Sequence, residues 1–259
     1  NTVLFDVNEA ALLKSKLLIE KNLQYLVDKE KISIAEKNEI YDRIQFTADI
    51  KDSTGEIIIE AIAEIEEAKI SLFNELVKYN NEEVIFATNT SSLSVSSIQK
   101  KIIFPQRVVG MHFFNPAYIM RLVEVVKGNQ TDDNVATAIY DICKQMDKEP
   151  VMCNDSPGFI VNRIARHYYL ESLKLAEEGI ASYEEIDTIL EATGFKMGPF
   201  KLMDLIGMDV NLAVSQSIYN AFEKKERFQP SSLQIEKVSK GELGKKTGKG
   251  FYSYPNQKI

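Results

Sequence analysis

Val108-Val-Gly-Met-His-Phe-Phe-Asn-Pro-Ala-Tyr-Ile-Met-Arg-Leu-Val-Glu-Val-Val126 is the stretch whose reading decides how this chain folds. Residues 108–114 and 122–126 are apolar and rich in valine, the composition of strands. The segment between them is too short for a helical crossover, so the two strands should lie side by side as an antiparallel pair. Upstream, strand-like and helix-like stretches alternate. A strand at residues 2–5 leads to Asp6, and Asn8 can cap a helix carrying Leu12, Leu13, Leu17, Leu18 and Leu26. Ser33-Ile-Ala-Glu36 has the form of a capping box and opens a second helix toward Ile44. The β-branched run at residues 57–59 reads as a parallel strand buried on both faces. A helix over 64–79, a strand over 84–87 and a short helix over 94–101 follow. This alternation predicts an α/β, doubly wound, Rossmann-type sheet.

Downstream of the quoted pair the rhythm changes. A helix over 132–147 and a strand over 150–153 complete the sheet, and after that no strand pattern returns. Ser156-Pro157 reads as a helix start, with the helix running to about Glu178. Ser182-Tyr-Glu-Glu185 is another capping box, and Gly198-Pro199 introduces a further helix. The expected organisation is a sheet domain over residues 1–154 and an all-helical domain over 155–259.

Composition narrows the function class. A hydrophobic share of 44% with 27% charged residues is that of a globular protein, and no apolar run reaches the length of a membrane span. A net charge of -7 argues against a nucleic-acid partner. Cys143 and Cys153 are too few for a disulfide framework and suggest a reducing, cytoplasmic setting.

Chemistry has few candidates. His112 stands near the end of a sheet strand, where doubly wound sheets place their ligands. Glu124 is an acid set among apolar strand residues, and an antiparallel turn can bring it across to His112. An imidazole held by a carboxylate is a general base whose cation is stabilised as it takes up a proton. The alternative is a half-exposed strand edge with a surface glutamate. His167, on the long helix among Arg166, Tyr168 and Tyr169, has no acid at a useful spacing and reads as structural or superficial. Ala87-Thr-Asn-Thr-Ser-Ser92 follows a buried strand, so its amide and hydroxyl groups can meet a ligand or simply shape a loop. Asn162 is one and a half turns into the helix expected from Ser156. Asp6 closes the first strand, where an acid accepts hydrogen bonds from an adenosine ribose and opposes a 2′-phosphate, or merely starts a turn. No G-x-G-x-x-G occurs in the sequence.

Taken together, these motifs resemble the L-3-hydroxyacyl-CoA dehydrogenase family, which includes the short-chain 3-hydroxybutyryl-CoA dehydrogenases. The resemblance rests on Asn89-Thr-Ser-Ser-Leu93, His112-Phe-Phe-Asn-Pro116, Leu122-Val-Glu-Val125 and Asp155-Ser-Pro-Gly-Phe-Ile-Val-Asn-Arg163. Met197-Gly-Pro-Phe200 and Gly244-Lys-Lys-Thr-Gly-Lys-Gly-Phe-Tyr252 extend it to about Tyr254. It implies NAD as cofactor, an acyl-CoA as substrate and a homodimer built on the helical domain. It further implies that His112 is the base, that Glu124 orients it, and that Ser91 and Asn162 bind the reacting oxygens. Asn115 would lie near both substrate and nicotinamide. Asp6, Glu64, Lys69, Ser91 and Lys246 match the family's cofactor contacts, and Lys29 matches a basic position used for the CoA moiety. In the family a strand, a glycine-rich turn and a helix precede the position of Thr2. The sheet domain is therefore expected to be N-terminally incomplete, with exposed strand edges and apolar helix faces. Two other readings stand beside the leading one: a related dehydrogenase of a free hydroxy acid, and a truncated, cofactor-free fragment that dimerises.

Overall fold

The computed structural model describes residues 1–255. Its strands fall into two groups. β1 (Thr2–Phe5) pairs in parallel with β2 (Ile44–Thr47), and these two form a sheet of their own. Between them run α1 (Glu9–Asp28), whose first amides at Ala10 and Ala11 donate to Asn8 Oδ1, and α2 (Ile34–Asp42), opened by the Ser33–Glu36 capping box. The second sheet has the order β3-β4-β5-β6-β7, built from β3 (Ile57–Glu60), β4 (Ile85–Thr88), β5 (Val108–Phe113), β6 (Leu122–Lys127) and β7 (Glu149–Asn154). All its pairings are parallel except β5–β6, which is antiparallel as the short connection requires.

No strand hydrogen bond joins β1 to β3, so each keeps an unpaired edge. β3 is consequently not buried on both faces as its β-branched run suggests: Ile59 is 46% exposed. Leu13, Leu17 and Leu18 of α1 are exposed as well. The strand β2 was not legible in advance. Ile44-Gln-Phe-Thr47 is too short and too mixed to declare itself, and it becomes a strand because β1 offers it a partner.

The larger sheet carries helices on both faces, and side chains two residues apart share a face. Val108 and Val126 pack with α3 (Glu66–Leu76) and α4 (Val95–Gln99) through Phe73, Leu76, Val95 and Ile98. Val109, Met111, Val123 and Val125 pack on the other face with Val135, Ile139 and Cys143 of α5 (Asp133–Gln145). Gly110 lies opposite Val126, and a Cβ there would come within 2.7 Å of Val126 Cβ and 3.1 Å of Val95 Cγ2. Only glycine lets α4 settle this close to the β5–β6 pair.

From Val161 onward the chain is helical: α6 (Val161–Glu177), α7 (Tyr183–Ala192), α8 (Pro199–Ile206), α9 (Met208–Ala221) and α10 (Ser232–Ser239). α6 begins at Val161 and not at Ser156. Gly158 and Phe159 take left-handed backbone angles, φ +73° and +47°, which no right-handed helix admits. Asn162 is thus in the first turn of α6. A core of Tyr169, Leu173, Ile186, Phe200, Met203 and Met208 joins these helices. Two buried carboxylates tie the last segment to it. Asp187 accepts from Phe200 and Lys201 N–H and from Tyr252 OH. Asp204 accepts from Phe251 and Tyr252 N–H and from Tyr254 OH. A Cβ on Gly250 would stand 2.0 Å from Asp204 Oδ1, which explains the glycine just before Phe251. No helix among the described residues is long and apolar enough to cross a membrane.

Candidate active site

His112 and Glu124 are direct cross-strand partners in the β5–β6 ladder. His112 Nδ1 lies 2.7 Å from Glu124 Oε2, and the two side chains are 7% and 1% exposed. An ionised carboxylate only accepts hydrogen bonds, so Nδ1 must carry the proton and Nε2 of the neutral ring keeps a free lone pair. Two aromatic rings lie near the imidazole, Phe114 at 4.6 Å and Phe159 at 5.7 Å between centroids. Glu124 Oε1 accepts from the backbone N–H groups of Ile160 and Val161, both at 2.9 Å. Burial pushes the Glu124 carboxyl upward, but the bond from His112 and the two backbone donors outweigh it and hold the group below the usual carboxylate range. The nearby Cys153 thiol is raised to about 11, by burial first and then by Glu124 and Asp155, and is unreactive at neutral pH.

A second buried network stands at the carboxyl ends of β3 and β4. Lys69, 1% exposed, is held by Glu60 Oε1 at 2.6 Å and Glu64 Oε2 at 3.2 Å. Thr88 OH donates to the other oxygen of Glu60. Glu64 Oε1 accepts from Thr90 OH, Ser91 N–H, Ser92 N–H and Ser92 OH. Burial raises the Glu64 carboxyl, yet the Thr90 hydroxyl, Lys69 and the loop donors outweigh it and keep it below its ordinary range. Glu64 therefore gathers the 90–92 loop beneath itself and fixes Ser91. Lys69 is closed off from solvent, and its ammonium group is spent on Glu60, Glu64 and the backbone oxygen of Ile62. Asn162 Nδ2 donates to the backbone oxygen of Ser91 at 3.4 Å, bringing the first turn of α6 to the same loop.

The remaining candidates are scattered more widely. Asp6 sits at the carboxyl end of β1, and its Oδ1 accepts from Asn8 N–H. Asn115 is exposed beyond the end of β5. Lys29 is exposed at the end of α1, its ammonium 5.7 Å from the Tyr25 ring. Lys246 pairs with Asp209 of α9. Among the described residues, no hydrogen bond or ion pair joins Lys246 or Lys29 to the Glu64–Ser91 loop. His167 is exposed against Phe228, as its lack of an acidic partner suggests. Sequence reading missed three residues that build the site. Glu60 could have been found as a charge ending a β-branched strand. Asn89, whose Oδ1 accepts from Phe113 N–H, ties β4 to β5. Asp155 accepts from Ser94 OH and Ser96 N–H and caps α4. These last two contacts span 24 and 59–61 residues and leave no local signal.

Comparison with known proteins bears on the same residues. Residues 1–156 match the family description "3-hydroxyacyl-CoA dehydrogenase, NAD binding domain", and residues 158–254 match "3-hydroxyacyl-CoA dehydrogenase, C-terminal domain". The chain belongs to the 3-hydroxyacyl-CoA dehydrogenase family. Among its relatives, the 3-hydroxyadipyl-CoA dehydrogenase of Escherichia coli is 41% identical over 97% of this chain and 54% of that protein. The mitochondrial hydroxyacyl-coenzyme A dehydrogenase of Sus scrofa is 38% identical over 97% of this chain and 83% of that protein. The crystal structure of (S)-3-hydroxybutyryl-CoA dehydrogenase from Ralstonia eutropha superposes with a TM-score of 0.94 at 37% identity, over 98% of this chain and 90% of that one. The chain thus spans about half of the E. coli relative and most of the other two. Within the family's NAD-binding part lie Asp6, Glu64, His112 and Glu124, and within its C-terminal part lie Asn162 and Lys246.

Proposed function

We propose that this protein oxidises a short-chain 3-hydroxyacyl-CoA to the 3-oxoacyl-CoA with NAD as hydride acceptor, and catalyses the reverse reduction. The observation that carries the reading is the buried His112–Glu124 pair, 2.7 Å apart, with Asn162 in the helix that starts on Glu124 and bonded to the Ser91 loop. NAD supplies the hydride acceptor when bound. The residues present fit its ends: Asp6 is an acceptor at a strand terminus, suited to ribose hydroxyls, and Asn115 and the Ser91 loop close the carboxyl ends of β5 and β4. Among the described residues no glycine-rich strand–helix turn accompanies them.

His112 Nε2 takes the proton of the substrate's 3-hydroxyl as the C3 hydrogen leaves as hydride. Glu124 remains ionised and stabilises the resulting imidazolium, so the proton is held at Nε2 and not passed on. Ser91 and Asn162 donate to the reacting oxygen, and Lys29 supplies positive charge toward the CoA end. Residues 1–154 would hold the dinucleotide, with Lys69 acting through Glu64, Lys246 approaching from the helical part, and residues 155–259 completing the substrate side and a homodimer in the cytoplasm.

The deciding experiment compares (S)-3-hydroxybutyryl-CoA with free 3-hydroxybutyrate, following NADH formation with NAD and with NADP. The thioester with NAD should give the highest specificity constant, because the Asp6 carboxylate opposes a 2′-phosphate. Equal rates with the free acid, or a better constant with NADP, would overturn the reading.

A further inference from the structure

We propose that the turn Ser156–Ile160 is the positioning device of the His112–Glu124 pair, with Gly158 and Phe159 as its positioning residues. The inference rests on the proposed role of the pair and adds what holds it in register.

The chain has little slack at this point. Asp155 N–H still donates to Lys127 O at the end of the β6–β7 ladder, whereas Ile160 and Val161 N–H already donate to Glu124 Oε1. Five residues must therefore lead back along β6 from Lys127 to Glu124 and start a helix on arrival. They do it with a tight turn, Phe159 N–H donating to Ser156 O, and with left-handed angles at Gly158 and Phe159. At Gly158 any side chain would be strained, since φ is +73° and a Cβ would stand 3.1 Å from the backbone N of Arg163 and 2.7 Å from Ile218 Cδ1, which would have to move. Phe159 is a bulky residue in a region that such residues rarely occupy, and strain of this kind persists only where the surroundings impose it. Here the surroundings are the sheet core itself. Phe159 is 5% exposed, belongs to the cluster of Phe73, Phe86, Val108 and Val126, and its ring lies 5.7 Å from that of His112.

The second observation concerns the helix. α6 has no side-chain cap of its own. Its first two N–H groups, those of Ile160 and Val161, donate instead to Glu124, from another part of the fold, while Arg163 N–H turns back to Gly158 O. One carboxylate thus has one oxygen clamped by the helix start and the other on His112 Nδ1. Fixing the first oxygen fixes the direction of the second, and the Phe159 ring packs near the imidazole, 5.7 Å away between centroids. A shift of the turn would leave both partners in the fold but rotate the carboxylate off Nδ1.

The test uses the full chain, with its spectroscopic reading taken without substrate or cofactor. His112 is buried and His167 exposed, so the shielded downfield imidazole N–H proton in the NMR spectrum should be that of His112 Nδ1, identified by its loss in His112→Ala. Gly158→Ala should move this resonance upfield or broaden it, and should lower kcat by about tenfold or more with little change in NADH affinity. Phe159→Gly, which tolerates the left-handed angle but removes the anchoring ring, should do the same; if Gly158→Ala does not fold, this variant decides. Gly179→Ala is the control: φ is +70°, nothing lies within 4 Å of the added Cβ, and the resonance and kcat should stay as in the parent. Folded Gly158 and Phe159 variants with an unmoved resonance would overturn the proposal, whether turnover falls or not. A parent protein inactive on 3-hydroxyacyl-CoA would instead count against the proposed function, because the resonance is read without any substrate.

Discussion

His112 and Glu124 are arranged so that a proton can arrive at Nε2 while Nδ1 stays committed to a carboxylate. General-base assistance is typically worth about 10²–10⁴-fold, so His112→Ala should reduce turnover by an amount in or beyond that range. Glu124→Gln should also slow turnover strongly, and the double variant should be little slower than His112→Ala alone, because the glutamate acts through the histidine. NADH affinity should change little in each. Steady-state kinetics of the two single variants and the double, with NADH titrations, check this; near-normal turnover in a folded His112→Ala would remove the mechanism. The same glutamate makes a statement about stability. Its folded pKa is depressed below the 4.5 of a free glutamate, so its stabilisation is fully present above pH 4.5 and is lost as pH falls through the lower folded value. Melting temperature should therefore decline less steeply below pH 4.5 in Glu124→Gln than in the parent, as scanning calorimetry at several pH values would show. The pair was legible in the sequence because strand register and a short connection are local facts. The four donors on Glu64 were not, since they come from a loop 26–28 residues away.

At the level of elements, the division of strands into two sheets has a consequence for local stability. β1 and β2 satisfy each other, yet a two-stranded sheet is marginal by itself, and no ladder ties it to β3. A visible tie to the rest is the Thr47 hydroxyl, which donates to Asp52 at 2.7 Å. The amides of Leu4 and Phe46 should exchange with solvent at least about tenfold faster than those of Val109 and Val125 in the centre of the larger sheet. Hydrogen exchange read by mass spectrometry measures this directly, and equal protection would show that the β1–β2 unit is held as firmly as the core. Capping boxes and strand runs placed most elements correctly from sequence, because each acts over three or four residues. The start of α6 was misplaced for an instructive reason. Ser156-Pro157 has the local chemistry of a helix start, but the core captures Phe159 and Glu124 captures the next two amides, so the helix begins five residues later.

Across the whole molecule, several apolar side chains of the helical half are exposed and would suit the proposed homodimer. Ile189, Leu205, Ile206 and Val210 are between 41% and 63% exposed, whereas Leu190 and Leu202 pack into the helical core. Light scattering at micromolar concentration should give the mass of a dimer, and Ile189→Asp combined with Leu205→Asp should shift it toward the monomer while preserving helical circular dichroism. A monomeric parent would exclude this assembly. The sequence by itself determined the alternation of strands and helices, the single antiparallel pairing, the change to helices after the last strand and the placing of His112 and Glu124 on adjacent strands. Each of these is written in periodicity, turn length or residue type within a short window. Only the tertiary structure decided that Lys69 lies buried against Glu60 and Glu64, and that β2 exists at all. It also decided that α6 borrows its cap from Glu124. These depend on burial and on partners distant in sequence, where the free energy of a contact comes from desolvation and geometry that no local pattern encodes.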